Sequence, residues 1–156
     1  MQENKMRIYE IQNRNPLQMK ELLRVWEDSV RATHLFLSDA EVKRIKKYVP
    51  YALENVEHLI AAEAENLVAF MGIQNKRLEM LFVAPQERGK GIGKQLLQYG
   101  FRTYGIREVT VNEQNQQAVG FYEYMGFETY KRSDLDEQGG PYPLLYMKCR
   151  DAGSHC

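Results

Sequence analysis

Six residues, Arg88-Gly89-Lys90-Gly91-Ile92-Gly93, most constrain how this chain can fold. A strand-like apolar run at 78–83 precedes them and leads directly to Pro85. An amphipathic helix follows, with Leu96, Leu97, Phe101 and Tyr104 on one side and Gly105 as its natural stop. A strand that turns into a helix through glycine aims the helix's unpaired first-turn amides, and its dipole, at whatever lies beyond the strand end. That is a site for a phosphate anion. Glycine lets the backbone approach the oxygens without a Cβ in the way, and Arg88, Lys90 and Lys94 add positive charge. The expected ligand is a pyrophosphate. A P-loop would need Gly-Lys-Ser/Thr, and Gly93-Lys94 is followed by Gln95; a dinucleotide fingerprint would need G-x-G-x-x-G, and position 94 is Lys.

The remaining pattern supplies the partners of this unit. Residues 6–11 alternate as a first strand. Leu17, Leu22, Leu23, Trp26 and Val30 recur at helical spacing to about residue 33. Ser38 with Glu41 forms a capping box for a second helix, which must yield near Pro50. Apolar runs at 58–64 and 67–73 flank Glu65-Asn66 as a hairpin, and Gln74-Asn75-Lys76 turns into the strand at 78–83. After the glycine turn come a strand at 108–112, a helix from near Asn115 to Met125 ended by Gly126, and strands at 128–132 and 143–148. The order β-α-α-β-β-β-α-β-α-β-β implies an α/β chain with a mixed sheet covered by helices, a single domain over 1–150 with a short tail at 151–156.

Composition narrows the classes of function. Lys and Arg balance Asp and Glu at 21 each, so no long-range field favours nucleic acid. Residues 1–6 lack the apolar run of a signal peptide, and no stretch approaches the roughly 20 apolar residues that span a bilayer. No membrane association and a cytoplasmic setting are the expectation. Cys149 and Cys156 could bridge, with the reduced pair expected, and no metal site is predicted, His155 being the one histidine near them.

Leu81-Phe82-Val83-Ala84-Pro85, followed by Arg88-Gly89-Lys90-Gly91-Ile92-Gly93-Lys94 and Leu96-Leu97, resembles the acetyl-CoA-binding motif of the GCN5-related N-acetyltransferases (GNAT superfamily). Its core Gln/Arg-x-x-Gly-x-Gly/Ala is matched by Arg88, Gly91 and Gly93. A second signature follows in order: Asn115, Ala118-Val119-Gly120-Phe121-Tyr122 and Met125-Gly126-Phe127. Trp26, Ala32-Thr33-His34-Leu35-Phe36-Leu37, Val111-Asn112-Glu113-Gln114-Asn115, Arg132-Ser133 and Pro141-Tyr142-Pro143-Leu144-Leu145 are similar to features of the small bacterial YjaB-like subgroup. The resemblance implies a GNAT fold whose sheet splays between its fourth and fifth strands, and transfer of acetyl from acetyl-CoA to an amine. It implies that the amides of Gly89, Lys90, Gly91, Ile92, Gly93 and Lys94 hold the pyrophosphate. The backbone of Leu81, Phe82 and Val83 would pair with the pantetheine arm, Asn115 would touch that arm, and Tyr122 would sit beside the sulfur.

In that chemistry an amine attacks the thioester directly, so the protein must position, deprotonate and protonate. Tyr122 is the candidate acid for the leaving thiolate. Ala118, Phe121 and Met125 fall at i, i+3 and i+7 and read as the buried stripe, with Tyr122 turned about 100° from Phe121. Asn115 also suits an N-cap. The position where many relatives carry a base is Thr110, which cannot serve; Glu79 lies on the preceding strand, and His34 is the candidate base with an ordinary pKa in range. A water chain without a dedicated base is the other option. His34 and Tyr142 are candidate edges of the acceptor pocket, within the segments 30–58 and 133–143 where acceptor choice should reside; Trp26 reads as core. The acceptor is an amine on a small molecule or a protein. The alternative is a non-catalytic acetyl-CoA-binding module, and a homodimer is compatible with either.

Overall fold

The computed structural model describes residues 6–150. Strand β1 (Arg7–Glu10) leads to helix α1 (Pro16–Thr33), which starts because the Asn15 side chain accepts from the Gln18 amide and Pro16 occupies a first-turn position that needs no N–H. Helix α2 (Asp39–Lys46) is entered through the expected capping box, with both Ser38–Glu41 bonds present. The hairpin strands β2 (His58–Glu63), β3 (Leu67–Gln74) and β4 (Arg77–Val83) follow, joined at the second turn by Asn75 and Lys76 with φ of 52° and 62°. Helix α4 (Ile92–Tyr104), strand β5 (Glu108–Asn112), helix α5 (Gln116–Tyr124) and strands β6 (Phe127–Ser133) and β7 (Leu144–Cys149) complete the chain.

Two expectations need correction. Pro50 does more than end α2: it sits in the first turn of a third helix, α3 (Val49–Asn55), where its missing N–H costs nothing. On α5 the expected stripe of Ala118, Phe121 and Met125 is only half-buried, and Tyr122, 7% exposed, is the buried residue. Positions 118, 122 and 125 also share a helical face, and that face meets the sheet. Readings that involve the 151–156 tail, His155 and Cys156, including any bridge to Cys149, lie outside the described residues.

The seven strands form one sheet in the order β1-β2-β3-β4-β5-β7-β6. All neighbours are antiparallel except β4 and β5. Strand β2 reads in sequence as an unbroken apolar run because both of its faces are buried. Ile60 and Ala62 join the layer under α4, with Leu96, Leu97 and Ile106, while Leu59 and Ala61 join the layer under α1–α3, with Leu22, Val25 and Leu53. This two-sided core fixes the sheet's register, since a one-residue slip would exchange the two sets.

The parallel pair is short. Arg77 pairs with Glu108 and Leu78 with Val109, and the ladder stops there. Strand β4 continues along β3 as far as Val83, and β5 pairs along its whole length with β7. The sheet therefore opens between β4 and β5, as expected. A bulge marks the start of the opening: Ile73 faces Leu78 and Gly72 faces Met80, which leaves Glu79 as the extra residue.

Candidate active site

The glycine turn leaves β4 through Ala84 and a short 3₁₀ turn (Pro85–Glu87). Gly89 and Gly91 take φ of 81° and 79°, the left-handed region that strains other residues. Gly91 is the N-cap of α4 and, lacking a side chain, caps nothing, so the first-turn amides stay open at the turn. An added Cβ at Gly89 or Gly91 would meet no atom within 4 Å, so both positions face outward, the space an anion would occupy. Arg88 donates to Gln117 on α5, Lys90 pairs with Glu87 at 2.9 Å, and Lys94 lies 3.2 Å from the Tyr124 hydroxyl and 5.2 Å from its ring centre. All three cations stand at the turn, each already steadied by a neighbour.

A cleft of ≈ 340 Å³ runs from this turn into the opened sheet. Leu81 and Val83 form one wall, and Asn115, Phe121 and Tyr122 the other. The unpaired edge of β4 beyond Leu78 borders the opening, so its backbone groups remain available to an extended ligand. Phe82 faces away and stacks on Phe70 at 5.6 Å. Asn115 caps α5 by accepting from the Ala118 amide at 3.3 Å, so one residue is both cap and cleft wall.

Tyr122 lies deep in the cleft, held by Phe121 at 5.3 Å and edge-on by Phe127 at 5.9 Å. Its hydroxyl makes no hydrogen bond among the described residues. Burial pushes this phenol well above the ordinary tyrosine value, so it carries its proton throughout the neutral range.

The end of α1 contributes a linked set, Ser29, Thr33 and the candidate base His34, whose linkage the sequence did not show. Ser29, 5% exposed, and Thr33 line the cleft. Thr33 Oγ1 donates to the Ser29 carbonyl at 2.8 Å and lies 2.8 Å from His34 Nδ1. A carbonyl only accepts, so the hydroxyl's single proton is committed there, and Nδ1 must be the donor to Oγ1. Neutral His34 is thereby held with its lone pair on Nε2. Burial lowers the His34 pKa, which favours the neutral form.

His34 is outside the cleft lining but beside Thr33. Its ring packs on Phe36 at 5.4 Å, and Phe36 packs on Tyr142 at 6.3 Å. The two expected acceptor-edge residues are thus brought together through a third aromatic. Glu79 and Thr110 are the first residues beyond the last β4–β5 pair, one on each lip of the opening. Partial desolvation and then the charge of Glu137 raise the Glu79 pKa, although its side chain still reaches solvent. Thr110 Oγ1 is buried with no hydrogen-bond partner among the described residues. Ser29 and Gln117 escaped the sequence reading, Thr33 was read only as part of a motif, and Glu137 reads from sequence as a solvated loop charge, because nothing local marks a partner 29 or 58 residues away.

Comparison with known proteins agrees with this geometry. A family model described as an acetyltransferase (GNAT) domain matches residues 26–147. The peptidyl-lysine N-acetyltransferase YjaB of Salmonella typhimurium is 39% identical over 129 residues, 82% of this chain and 89% of that one. The solution structure of apo-form YjaB from Escherichia coli superposes with a TM-score of 0.83 at 34% identity, covering 95% and 99% of the two chains. The PaiA N-acetyltransferase of Thermoplasma acidophilum, solved in complex with coenzyme A, shares the fold with a TM-score of 0.69 at 23% identity over 92% and 99%.

Proposed function

The chain belongs to the GNAT acetyltransferase family and is an N-acetyltransferase, and on that footing we propose that it acetylates the side-chain amine of lysine in a protein. The observation that carries the reading is the continuity of one cleft, from uncapped helix amides at Gly91 to the Tyr122 hydroxyl, which has no partner among the described residues. The fit to acetyl-CoA is physical: an anion site at one end, a free strand edge for an extended arm, and a proton donor at the other end. The YjaB relatives, from Salmonella typhimurium and Escherichia coli, are peptidyl-lysine N-acetyltransferases, which supports a protein acceptor over a small amine. They are enzymes, which favours catalysis over a non-catalytic acetyl-CoA-binding module. An enzyme that draws on acetyl-CoA belongs where that donor is made and used, and a cytoplasmic setting is part of the proposal. No helix among the described residues is long and apolar enough to cross a membrane.

Each step falls to a residue of the chain. The amides from Gly89 to Lys94, with Arg88 and Lys94 beside them, hold the pyrophosphate. The backbone of Leu81 to Val83 aligns the pantetheine arm. Glu79 and Glu137 draw the lysine ammonium to the lip of the opening. His34 Nε2 takes its proton, since the Thr33 link leaves that nitrogen as the acceptor. Tyr122 protonates the departing thiolate. Thr110 Oγ1, buried without a partner among the described residues, holds the amine or a water beside it. Glu79 is the alternative base, favoured by its raised pKa at the lip.

Titration calorimetry with acetyl-CoA, CoA and ATP, followed by acetylation of a lysine peptide against a small polyamine, tests the reading. Binding of CoA but not ATP, with the peptide as the better acceptor, is expected. Failure to bind CoA would remove the cleft assignment, and a strong preference for the polyamine would remove the protein acceptor.

A further inference from the structure

We propose that Leu35 and Leu135 form a seat for an apolar side chain neighbouring the acceptor lysine, so that the enzyme selects protein segments carrying a large aliphatic residue beside the lysine. The proposal rests on the protein-lysine reading above. Leu35 is 81% exposed and Leu135 49%. They belong to loops about one hundred residues apart in sequence that are tied together here, through the Phe36–Tyr142 contact at 6.3 Å.

Neither leucine is exposed through looseness. The α1–α2 loop is a tight turn, with His34 N bonded to Val30 O at 2.8 Å and Leu37 N to His34 O at 3.0 Å. Within Leu35-Phe36-Leu37 the third residue packs into the core under α1–α3, the second bridges to Tyr142, and the first is left to solvent. The β6–β7 loop is equally fixed. Leu135 N donates to Ser133 Oγ at 3.3 Å, and the same hydroxyl donates to Leu135 O at 2.8 Å. Asp136 Oδ1 accepts from the amides of Gln138 and Gly140 at 2.9 and 2.7 Å. Two aliphatic side chains held in water on preordered loops lose little entropy on binding, which is how a recognition surface gains affinity.

Charge says what kind of partner fits. Glu137, on the loop of Leu135, acts on Glu79 at the lip of the opening, and Arg77, which partly offsets them, is ion-paired with Glu108 at 3.8 Å. An acidic lip bordered by aliphatic side chains suits a cation with an apolar neighbour, as a lysine in a protein segment presents, and not an isolated polyamine. A small diffusible amine would use the lip and leave the leucines wet.

The test uses short peptides with one lysine in a glycine–serine background, a leucine being walked through the positions on either side. At one or two positions the leucine is expected to raise kcat/KM by about tenfold, mostly through KM, since seating one aliphatic side chain is worth that much. In L35S/L135S the leucine-to-serine ratio should fall towards one, with the thermal shift by CoA retained as proof of folding. Peptides acetylated with no leucine preference, or a preference that survives in L35S/L135S, would overturn the seat while leaving the protein-lysine reading intact. Acetylation of a small polyamine with no peptide turned over would overturn both. A wild-type dimer that dissociates in L35S/L135S on sedimentation would assign the leucines to a second copy and overturn the proposal.

Discussion

The bond between Thr33 and His34 offers the sharpest perturbation. Replacing Thr33 with Val keeps the volume and removes the oxygen that receives Nδ1–H at 2.8 Å. The imidazole is then free to carry its single proton on Nε2, the nitrogen that must accept from the amine. A net intramolecular hydrogen bond is worth about 0.5–1.5 kcal/mol. At about 1.4 kcal/mol per factor of ten, T33V should lower the plateau of kcat/KM by up to about tenfold. The midpoint of the acid limb should move much less, because Nδ1 bears a proton in both the reactive neutral form and the imidazolium. Thr33→Ser retains the oxygen and should restore the plateau. The assay is a pH profile of kcat/KM with saturating acetyl-CoA, alongside thermal melts of each variant. A T33V plateau within about twofold of wild type would refute either the tautomer argument or His34 as base. Equal losses in T33V and T33S would make Thr33 a packing residue only.

Other expectations follow from the same geometry. Tyr122→Phe should cut kcat by about a hundredfold or more, the span of a lost general acid, with CoA affinity by calorimetry nearly unchanged. The melting temperature should not fall, since the hydroxyl has no partner among the described residues. Gly91→Val places a β-branched residue at a φ of 79°; the strain of about 1–2 kcal/mol should weaken CoA binding, and unchanged affinity would contradict the anion site. Glu10 feels burial pushing its pKa up, but bonds from His58 at 3.0 Å and Tyr104 at 2.7 Å outweigh it and hold the carboxyl below 4.5. A depressed acid stabilises the fold above its unfolded pKa, and the contribution is lost as pH falls through the folded value. Melts of wild type should therefore lose stability below about pH 4.5 more steeply than melts of Glu10→Gln.

The fold was legible wherever a local signal decides it. Ser38 with Glu41 foretold the entry of α2, Gly105 the end of α4, and Asn115 the cap of α5, because each acts within one helical turn. Strand β5 was placed to the residue. Helix α3 was missed because Pro50 stops one helix and suits the first turn of another, and only packing of Val49 and Leu53 selects the second use. The site was half legible. The glycine turn declared itself by spacing, whereas the opened sheet and the place of Tyr122 came with the family resemblance. Ser29 and Glu137 carry no motif, and the motif that holds Thr33 does not show its bond to His34; their roles arise from where the end of α1 and the β6–β7 loop land across the sheet.

Why the sheet opens can be argued from its own ladders. Strand β4 satisfies one edge along β3 and β5 satisfies one edge along β7, so each half of the sheet is complete without the other. Only Arg77–Glu108 and Leu78–Val109 join them. The bulge at Glu79 then changes which way β4 faces: Leu78 packs with the α4 layer, whereas Met80 and Phe82 pack with the α1–α3 layer. Buried backbone groups left along the two free edges would each cost about 1–3 kcal/mol if they found no partner. Thr110 Oγ1 is such a group in side-chain form, dry and unpaired among the described residues. The opening is thus a standing demand for hydrogen bonds that an extended ligand along β4 and an amine at Thr110 can meet. Amide exchange should therefore slow along residues 79–83 when CoA binds. Exchange there that CoA leaves unchanged would place the ligand elsewhere and separate the open edge from the chemistry.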